Sequence, residues 1–163
     1  MAKKYWVANN PNSEITDTKA QKLAELSATT VTLAELDSLD ADATTATITL
    51  SAASVADGGT IECAIQFKDA AGVALTYPVA FDFYISSLST GLDLDSAATG
   101  ITEGGAGHII VEYVAQQSGK AVTNAVGLCD IDVVDAGADV LYLVVVMPND
   151  GRLIVSTSMT YAA

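Results

Sequence analysis

The sequence predicts an all-β fold, a β-sandwich of seven to eight strands preceded by an N-terminal arm with short helical segments. Three observations lead to this prediction. After about residue 44, apolar and polar residues alternate in short runs, turn signals such as Asp57-Gly58-Gly59 separate the runs, and no helical pattern lies between them. The chain has 163 residues, half of them hydrophobic, which is enough for one domain with its own core.

The first 43 residues contain the only helical patterns. Thr16 can cap a short helix, and Thr32 and Glu35 have the spacing of a capping box at the start of a second one. Neither helix is long enough to be stable alone. We therefore predict two regions, an arm at residues 1–43 and a β-sandwich at residues 44–163. The arm is expected to pack on its own β-domain, on a symmetry mate or on another protein.

The strands are predicted from alternation with a period of two. They are residues 47–52, 61–68, 79–85, 109–114, 126–134, 142–147 and 153–161. Residues 61–68 show the clearest pattern, because every second residue from Ile61 to Phe67 points to one buried face. Residues 87–107 contain five glycines and are predicted to form a long connection. This number and spacing of strands favours a two-sheet sandwich of immunoglobulin-like type over a barrel, and the lack of intervening helices excludes a parallel α/β architecture.

The end of the chain is predicted to be a β-hairpin. Residues 141–147 form a nearly continuous apolar run, and Pro148-Asn149-Asp150-Gly151 follows as a turn in which Asp-Gly supplies the positive φ that hairpin turns require. Residues 153–161 then form one strand. In that strand Leu153, Val155, Thr157, Met159 and Tyr161 are expected to share a face.

The chain has few charged residues, and most of them are acidic. There are 7 Lys and Arg against 20 Asp and Glu, a net charge of −13. The first 22 residues hold four lysines against Glu14 and Asp17, a net of +2, which leaves −15 for the remaining 141. Such an acidic body repels nucleic acid and anionic membranes, so neither is expected as a partner. No secretory signal and no membrane span of about 20 residues is visible, so we expect a soluble protein made in the cytoplasm.

The residues that could carry chemistry are few. His108 is the only histidine and is expected to border a strand, since no second imidazole or cysteine lies nearby. Asp93 and Asp95 lack the pattern of an EF-hand loop. The same holds for Asp130, Asp132 and Asp135, of which alternation places the first two on the solvent face. The sequence contains no nucleophilic-serine motif such as G-x-S-x-G, no phosphate-binding loop and no zinc-binding spacing. We predict no catalytic residues, no metal and no cofactor, and hence no enzyme.

Cys63 and Cys129 both lie on the inward phase of their predicted strands. Their separation of 66 residues is compatible with the inter-sheet cystine of immunoglobulin domains. A cytoplasmic protein would instead keep them reduced, as small buried apolar residues. We favour free thiols.

Four segments carry a resemblance to a known family. Residues 32–41, Thr-Leu-Ala-Glu-Leu-Asp-Ser-Leu-Asp-Ala, resemble a short leader motif of tailed-bacteriophage structural proteins, in which it precedes the body domain. Residues 67–72, 81–86 with the following Gly91, and 147–153 resemble an immunoglobulin-like phage structural domain. The resemblance therefore covers about ten residues of the arm and most of residues 60–161.

The resemblance implies a capsid decoration, or cement, protein. Such a protein is a small homotrimeric subunit that binds the major capsid protein on the outside of an assembled head and reinforces the virion. Threading an arm under a neighbouring subunit strengthens attachment, because each later contact is intramolecular once the first has formed. The residues expected to contact the capsid or another subunit all lie in the arm: Lys3, Lys4, Tyr5, Trp6, Glu35, Leu36 and Leu39.

Two alternatives remain open. The same fold could be a tail tube, fibre or baseplate component, with the glycine-rich residues 87–107 as a receptor-facing loop. A carbohydrate-binding or adhesion domain is a different class. It would place several exposed aromatic residues on one face for sugar stacking, whereas the tyrosines here are scattered along the chain.

Overall fold

A computed structural model describes residues 42–93 and 98–163, and within them every regular element is a β-strand. The predicted helices and all seven predicted contact residues of the arm fall outside the described residues, and the predicted boundary between arm and sandwich stays a prediction. None of the described residues belongs to a helix with the length and apolar character that crossing a membrane requires.

Eleven strands form the described part of the protein. They are β1 (Thr45–Leu50), β2 (Ser54–Ala56), β3 (Thr60–Lys68), β4 (Ala80–Ser86), β5 (Gly100–Glu103), β6 (His108–Val114), β7 (Ser118–Val122), β8 (Leu128–Val134), β9 (Val140–Val146), β10 (Leu153–Val155) and β11 (Met159–Ala162). One sheet has the order β1-β3-β8-β5, and the other has the order β2-β11-β9-β4-β7-β6, with β10 also paired to β9. All pairs are antiparallel except β2 with β11. The predicted all-β sandwich is confirmed at this level.

The core lies between the two sheets. Alternate residues of β3, β4 and β8 are buried, as the period of two predicts. The rings of Phe67 on β3 and Phe81 on β4 meet with centroids 5.0 Å apart at an angle of 49°, an arrangement that aromatic pairs favour. The inward residues of the four-stranded sheet therefore pack directly on those of the seven-stranded sheet.

Strand β9 is apolar in both phases, and its middle is buried on both faces. It lies between β4 on one side and β10 and β11 on the other. Val144 points away from the core and is nevertheless fully buried. Gly91 lies over it, so close that a Cβ atom there would be 3.2 Å from the Val144 side chain. The Tyr84 hydroxyl donates a hydrogen bond to the carbonyl oxygen of Gly91 and so fixes the loop after β4 against the sheet.

The prediction of one long connection over residues 87–107 is wrong. Strand β5 lies within these residues and pairs with β8. Only Ile101 of its four residues is buried, so its local pattern is weak. Strand β7 was also missed, because Gly119 and Lys120 interrupt its apolar pattern. Strand β2 is also absent from the prediction, because it has only three residues. These strands are defined by pairing with neighbours distant in sequence, which a short local pattern does not encode.

The prediction of one strand over residues 153–161 is also wrong. The hairpin turn forms, with Gly151 at a φ of 70°, but the returning chain is divided into β10 and β11. Ser156 lies at the break, where its hydroxyl accepts a hydrogen bond from the amide of Leu143 at 2.9 Å. The break reverses the phase: Ile154 packs against the core in β10, whereas Met159 and Tyr161 do so in β11.

Candidate functional site

Strand β6 exposes most of its apolar side chains. Four of them are between 45% and 56% exposed, and together we call them the β6 patch: Ile110, Val111, Tyr113 and Val114. They fall within five consecutive residues at the free edge of the seven-stranded sheet. Scattered apolar residues are ordinary on a protein surface, but a contiguous cluster is typical of an interaction site.

The irregular pairing of β6 with β7 brings these side chains to the solvent. Ile109 is opposite the buried Ala121 and packs against the core. A register shift then places Val111 opposite Lys120, and a second one places Val114 opposite Ser118. Because Lys120 and Ser118 alternate with Ala121 along β7, they lie on the outer face, and the β6 patch lies beside them.

A polar group borders the patch. The Tyr113 hydroxyl donates a hydrogen bond to Oδ1 of Asp82 at 2.7 Å, and Nζ of Lys120 lies 3.4 Å from the same oxygen. The hydrogen bond to Asp82 raises the pKa of Tyr113, while Lys120 acts in the opposite direction. Next to this group is a shallow depression of about 300 Å³, lined in part by Val146 and Pro148. The patch is thus apolar in its centre and polar on one side.

The backbone at the outer edge of β6 is partly covered. The amide of Ile109 donates to Oε1 of Glu103 on β5 at 2.8 Å, and Oε2 of Glu103 lies 3.5 Å from Nδ1 of His108. His108 begins β6, as the sequence predicts, and its side chain is 78% exposed. Bulges and side-chain caps are devices that keep an edge strand from pairing with another chain. The β6 patch is therefore suited to contact through side chains rather than through strand addition.

The two cysteines are buried free thiols, which confirms that prediction. Cys63 is opposite Ile131 and Cys129 is opposite Ile65, on the adjacent strands β3 and β8. Both therefore belong to the four-stranded sheet, and an inter-sheet bridge of the immunoglobulin kind is ruled out. Burial raises the pKa of each thiol to about 12. Sγ of Cys63 lies 3.5 Å from Sδ of Met159 in the opposite sheet. Both thiols act as core residues.

The aspartates of β8 lie on the outer face of the four-stranded sheet, as alternation predicts. Asp132 is opposite Glu62, and Asp130 is opposite Ala64. Partial burial raises the pKa of Asp130, and the nearby charge of Asp132 raises it further. Among residues 42–93 and 98–163, no group of three or more His, Cys, Asp or Glu side chains could hold a metal ion. In the described ion pairs, neither Asp130 nor Asp132 has a lysine or arginine partner.

Asp135 has a different environment, since it is buried. Its Oδ1 accepts a hydrogen bond from the Thr99 hydroxyl at 3.1 Å, and its Oδ2 accepts one from the amide of Gly137 at 3.2 Å. The backbone amide of Ala136 donates in turn to the Thr99 hydroxyl. These bonds tie the start of β5 to the end of β8, so Asp135 has a structural role.

Sequence reasoning did not identify the β6 patch. The run His-Ile-Ile-Val-Glu-Tyr-Val is apolar in both phases, which also describes the central strand β9. The one feature of the sequence that distinguishes β6 from a central strand is its position directly after the glycine-rich residues 104–107. The seven residues that the sequence predicted as contacts lie outside the described residues.

Comparison with known proteins identifies no relative by sequence. No protein-family model matches the chain, and no curated protein matches it. Among solved structures, the cohesin module from the Clostridium perfringens ATCC13124 family 33 glycoside hydrolase is similar with a TM-score of 0.44 and 14% sequence identity. The similarity covers 75% of this chain and 96% of that module.

Proposed function

We propose that this chain is a non-enzymatic structural protein of a tailed-bacteriophage virion, which binds the outside of the head and reinforces it. Its partner is the major capsid protein, and it acts as a homotrimer with an immunoglobulin-like body. The class comes from the resemblance of residues 32–41 and of the three body segments to phage structural proteins. In this proposal the arm, with Lys3, Lys4 and Trp6, provides attachment and the sandwich is displayed.

The observation that carries the proposal is the β6 patch. A sandwich whose buried polar atoms in the described residues all have hydrogen-bond partners nevertheless keeps four apolar side chains of one strand half exposed. Exposed apolar side chains in a cluster are characteristic of a protein that contacts other proteins. The acidic outer face of the other sheet suits a surface that faces away from packaged nucleic acid.

The strand order supports the immunoglobulin-like part of the proposal. In that fold the strands A, B, E and D form one sheet, and C, F and G form the other. The order β1-β3-β8-β5 corresponds to A-B-E-D, and β11-β9-β4 corresponds to G-F-C. The hairpin β6–β7, which follows β5 in the chain, extends the same sheet beyond β4. The β6 patch thus lies on an extension of the basic sandwich.

Sedimentation with purified heads tests the proposal. Heads assembled from the major capsid protein of the same genome are mixed with the full chain and pelleted, and purified tails serve as the parallel sample. We expect the chain to pellet with heads and not with tails. Pelleting with tails alone would support a tail component, and failure to pellet with either would contradict a virion role.

Deletion of residues 1–12 tests the attachment role of the arm. The truncated chain is expected to lose head binding while its thermal unfolding temperature stays that of the full chain, since the described sandwich begins at residue 42. A matched control replaces residues 1–12 by glycine and serine, which keeps the length. Full occupancy of heads by the truncated chain would refute the arm as the attachment element.

A further inference from the structure

We propose that the turn between β9 and β10 is a latch for β1, the first strand of the sandwich, and that β1 opens as a unit when this latch is released. The latch consists of two side chains of the turn, Asn149 and Arg152. It lies entirely within the described sandwich and acts whether or not the chain is attached to a head.

Strand β1 is paired along one edge only. All six of its residues, Thr45–Leu50, are paired with β3, and β1 is the end strand of its sheet. Its other side lies near β10 of the opposite sheet, but the strand pairing of β10 is with β9. An end strand that opens loses a single row of backbone hydrogen bonds, so it can separate while the central strands stay folded.

The segment that contains β1 contributes small or half-buried side chains to the core. Its fully buried residues are Ala43 and Ala46, whose side chains are single methyl groups. The larger Ile48 and Leu50 are only partly buried where they pack against the core. The neighbouring strand β3 completely buries four larger residues: Ile61, Cys63, Ile65 and Phe67. Because the free energy of burial grows with the apolar area removed from water, opening β1 costs less than unfolding β3.

Two side chains of the turn hold the chain where it enters β1. Nδ2 of Asn149 donates a hydrogen bond to the carbonyl oxygen of Ala43 at 3.0 Å. Nη2 of Arg152 donates one to the carbonyl oxygen of Thr44. The amide of Thr44 in turn donates to the carbonyl oxygen of Lys68 on β3 at 3.0 Å. The residues directly before β1 are therefore bonded both to their own sheet and to the turn of the other sheet.

The turn has its own hydrogen bonds, which do not involve β1. The amide of Gly151 donates to the carbonyl oxygen of Met147 at 3.0 Å, and the amide of Met147 donates to that of Arg152 at 2.8 Å. Oδ1 of Asp150 accepts from the amide of Arg152 at 3.0 Å, and its Oδ2 lies 3.8 Å from Nε of Arg152. The turn can therefore keep its shape when β1 leaves, and we expect the opening to be reversible.

The position of the latch gives it a role. The chain before residue 42 joins the sandwich through Ala43 and Thr44, so a pull on that part of the chain acts first on the two carbonyl groups that the latch holds. Without the latch, such a pull would separate β1 from β3 one residue pair at a time. This role rests on the proposed attachment through the arm, whereas the latch itself does not.

Hydrogen exchange of the full chain, measured by mass spectrometry, tests the latch. The variant Asn149→Ala/Arg152→Ala removes both donors. The control is Lys120→Ala/Asn124→Ala, which also removes one cation and one turn amide, but on β7 and in the turn after it, and β7 pairs with β4 and β6. In the latch variant we expect residues 44–51 to exchange roughly tenfold faster than in wild type, and β8 to exchange no faster than in the control. Unchanged exchange of residues 44–51, or equal acceleration of β1 and β8, would overturn the proposal.

Labelling of a buried thiol gives an independent readout. Ala46 is 6% exposed, so a cysteine introduced by Ala46→Cys reacts with a maleimide only when β1 opens. We expect this labelling to be roughly tenfold faster when Asn149→Ala/Arg152→Ala is also present, while the buried Cys129 on β8 stays unlabelled. Equal labelling rates with and without the latch would count against it. Both measurements use the chain in solution, so their outcome is independent of head binding.

Discussion

Cys63 and Cys129 show how burial changes the chemistry of a residue in this protein. Both are fully inaccessible, and loss of hydration raises the pKa of each thiol from 9.0 to about 12. A thiol with such a pKa is neutral near pH 7, and both cysteines pack as core side chains in the folded protein.

Alkaline pH should therefore destabilise the protein. In the unfolded chain the thiols ionise near pH 9, while in the folded chain they keep their protons until about pH 12. The folded state then binds more protons, so the free energy of unfolding is unaffected below pH 9 and falls as the pH rises from 9 towards 12, by up to about 1.4 kcal/mol per pH unit for each thiol. Urea unfolding at a series of pH values measures this slope. The double variant Cys63→Ala/Cys129→Ala should show a shallower slope, and an unchanged slope would contradict the assignment.

Gln116 is the described non-glycine residue with a positive φ, 60°, in the turn between β6 and β7. This conformation costs an L-residue roughly 1–2 kcal/mol, while glycine adopts it freely but loses about 0.5–1 kcal/mol through its more flexible unfolded chain. We expect Gln116→Gly to raise the free energy of unfolding by about 0.5–1 kcal/mol in urea titration. Gln117→Gly, at the next position and without a positive φ, should lower it by a similar amount. A loss of stability in Gln116→Gly would show that the turn is not strained.

At the scale of elements, the break between β10 and β11 keeps both strands beside β9. The Ser156 hydroxyl accepts from the amide of Leu143 and donates to the carbonyl oxygen of Thr157, so it replaces backbone bonds lost at the break. This lets the chain reverse its phase and still bury Met159 and Tyr161. The Tyr161 hydroxyl in turn donates to the carbonyl oxygen of Val133 at 2.8 Å, which joins the two sheets.

Ser156→Ala should therefore be costly. It leaves the amide of Leu143, a fully buried residue, without this acceptor, and an unpaired buried donor costs about 1–3 kcal/mol. Thr157→Ala is the control, because the Thr157 side chain is exposed and surface substitutions usually change stability by less than about 0.5 kcal/mol. Chemical denaturation of both variants measures the difference. Equal stability of the two would show that water replaces the hydroxyl at the break.

The predictability of each element depended on how much of it is buried. Strands β3, β4 and β8, which bury every second residue, were predicted with the correct phase. Strands β2, β5 and β7 were not, because they are short or carry Gly119 and Lys120 in their middle. The shared face predicted for residues 153–161 is wrong for β10 and correct for Met159 and Tyr161 of β11. The break between them involves hydrogen bonds of Ser156 with Leu143, a residue distant in sequence.

At the scale of the whole molecule, two kinds of surface follow from the fold. The outer face of the four-stranded sheet is polar and acidic, and the free edge of the seven-stranded sheet is apolar. The sequence predicted the acidic face from the alternation of Asp130 and Asp132. It could not predict the apolar edge, because a strand that is apolar in both phases is equally consistent with the centre of a sheet, as β9 shows.

In the proposed function the protein is a displayed module that contacts other proteins. The β6 patch would provide such a contact, and the N-terminal arm would attach the protein to the head. With a net charge of −11 over residues 42–163, copies of the body repel one another.

The most direct test of head decoration is the mass of purified heads before and after incubation with excess chain, measured by charge-detection mass spectrometry. We expect a discrete increase in mass that saturates at a fixed number of chains per head. Heads whose mass is unchanged at every chain concentration would contradict it.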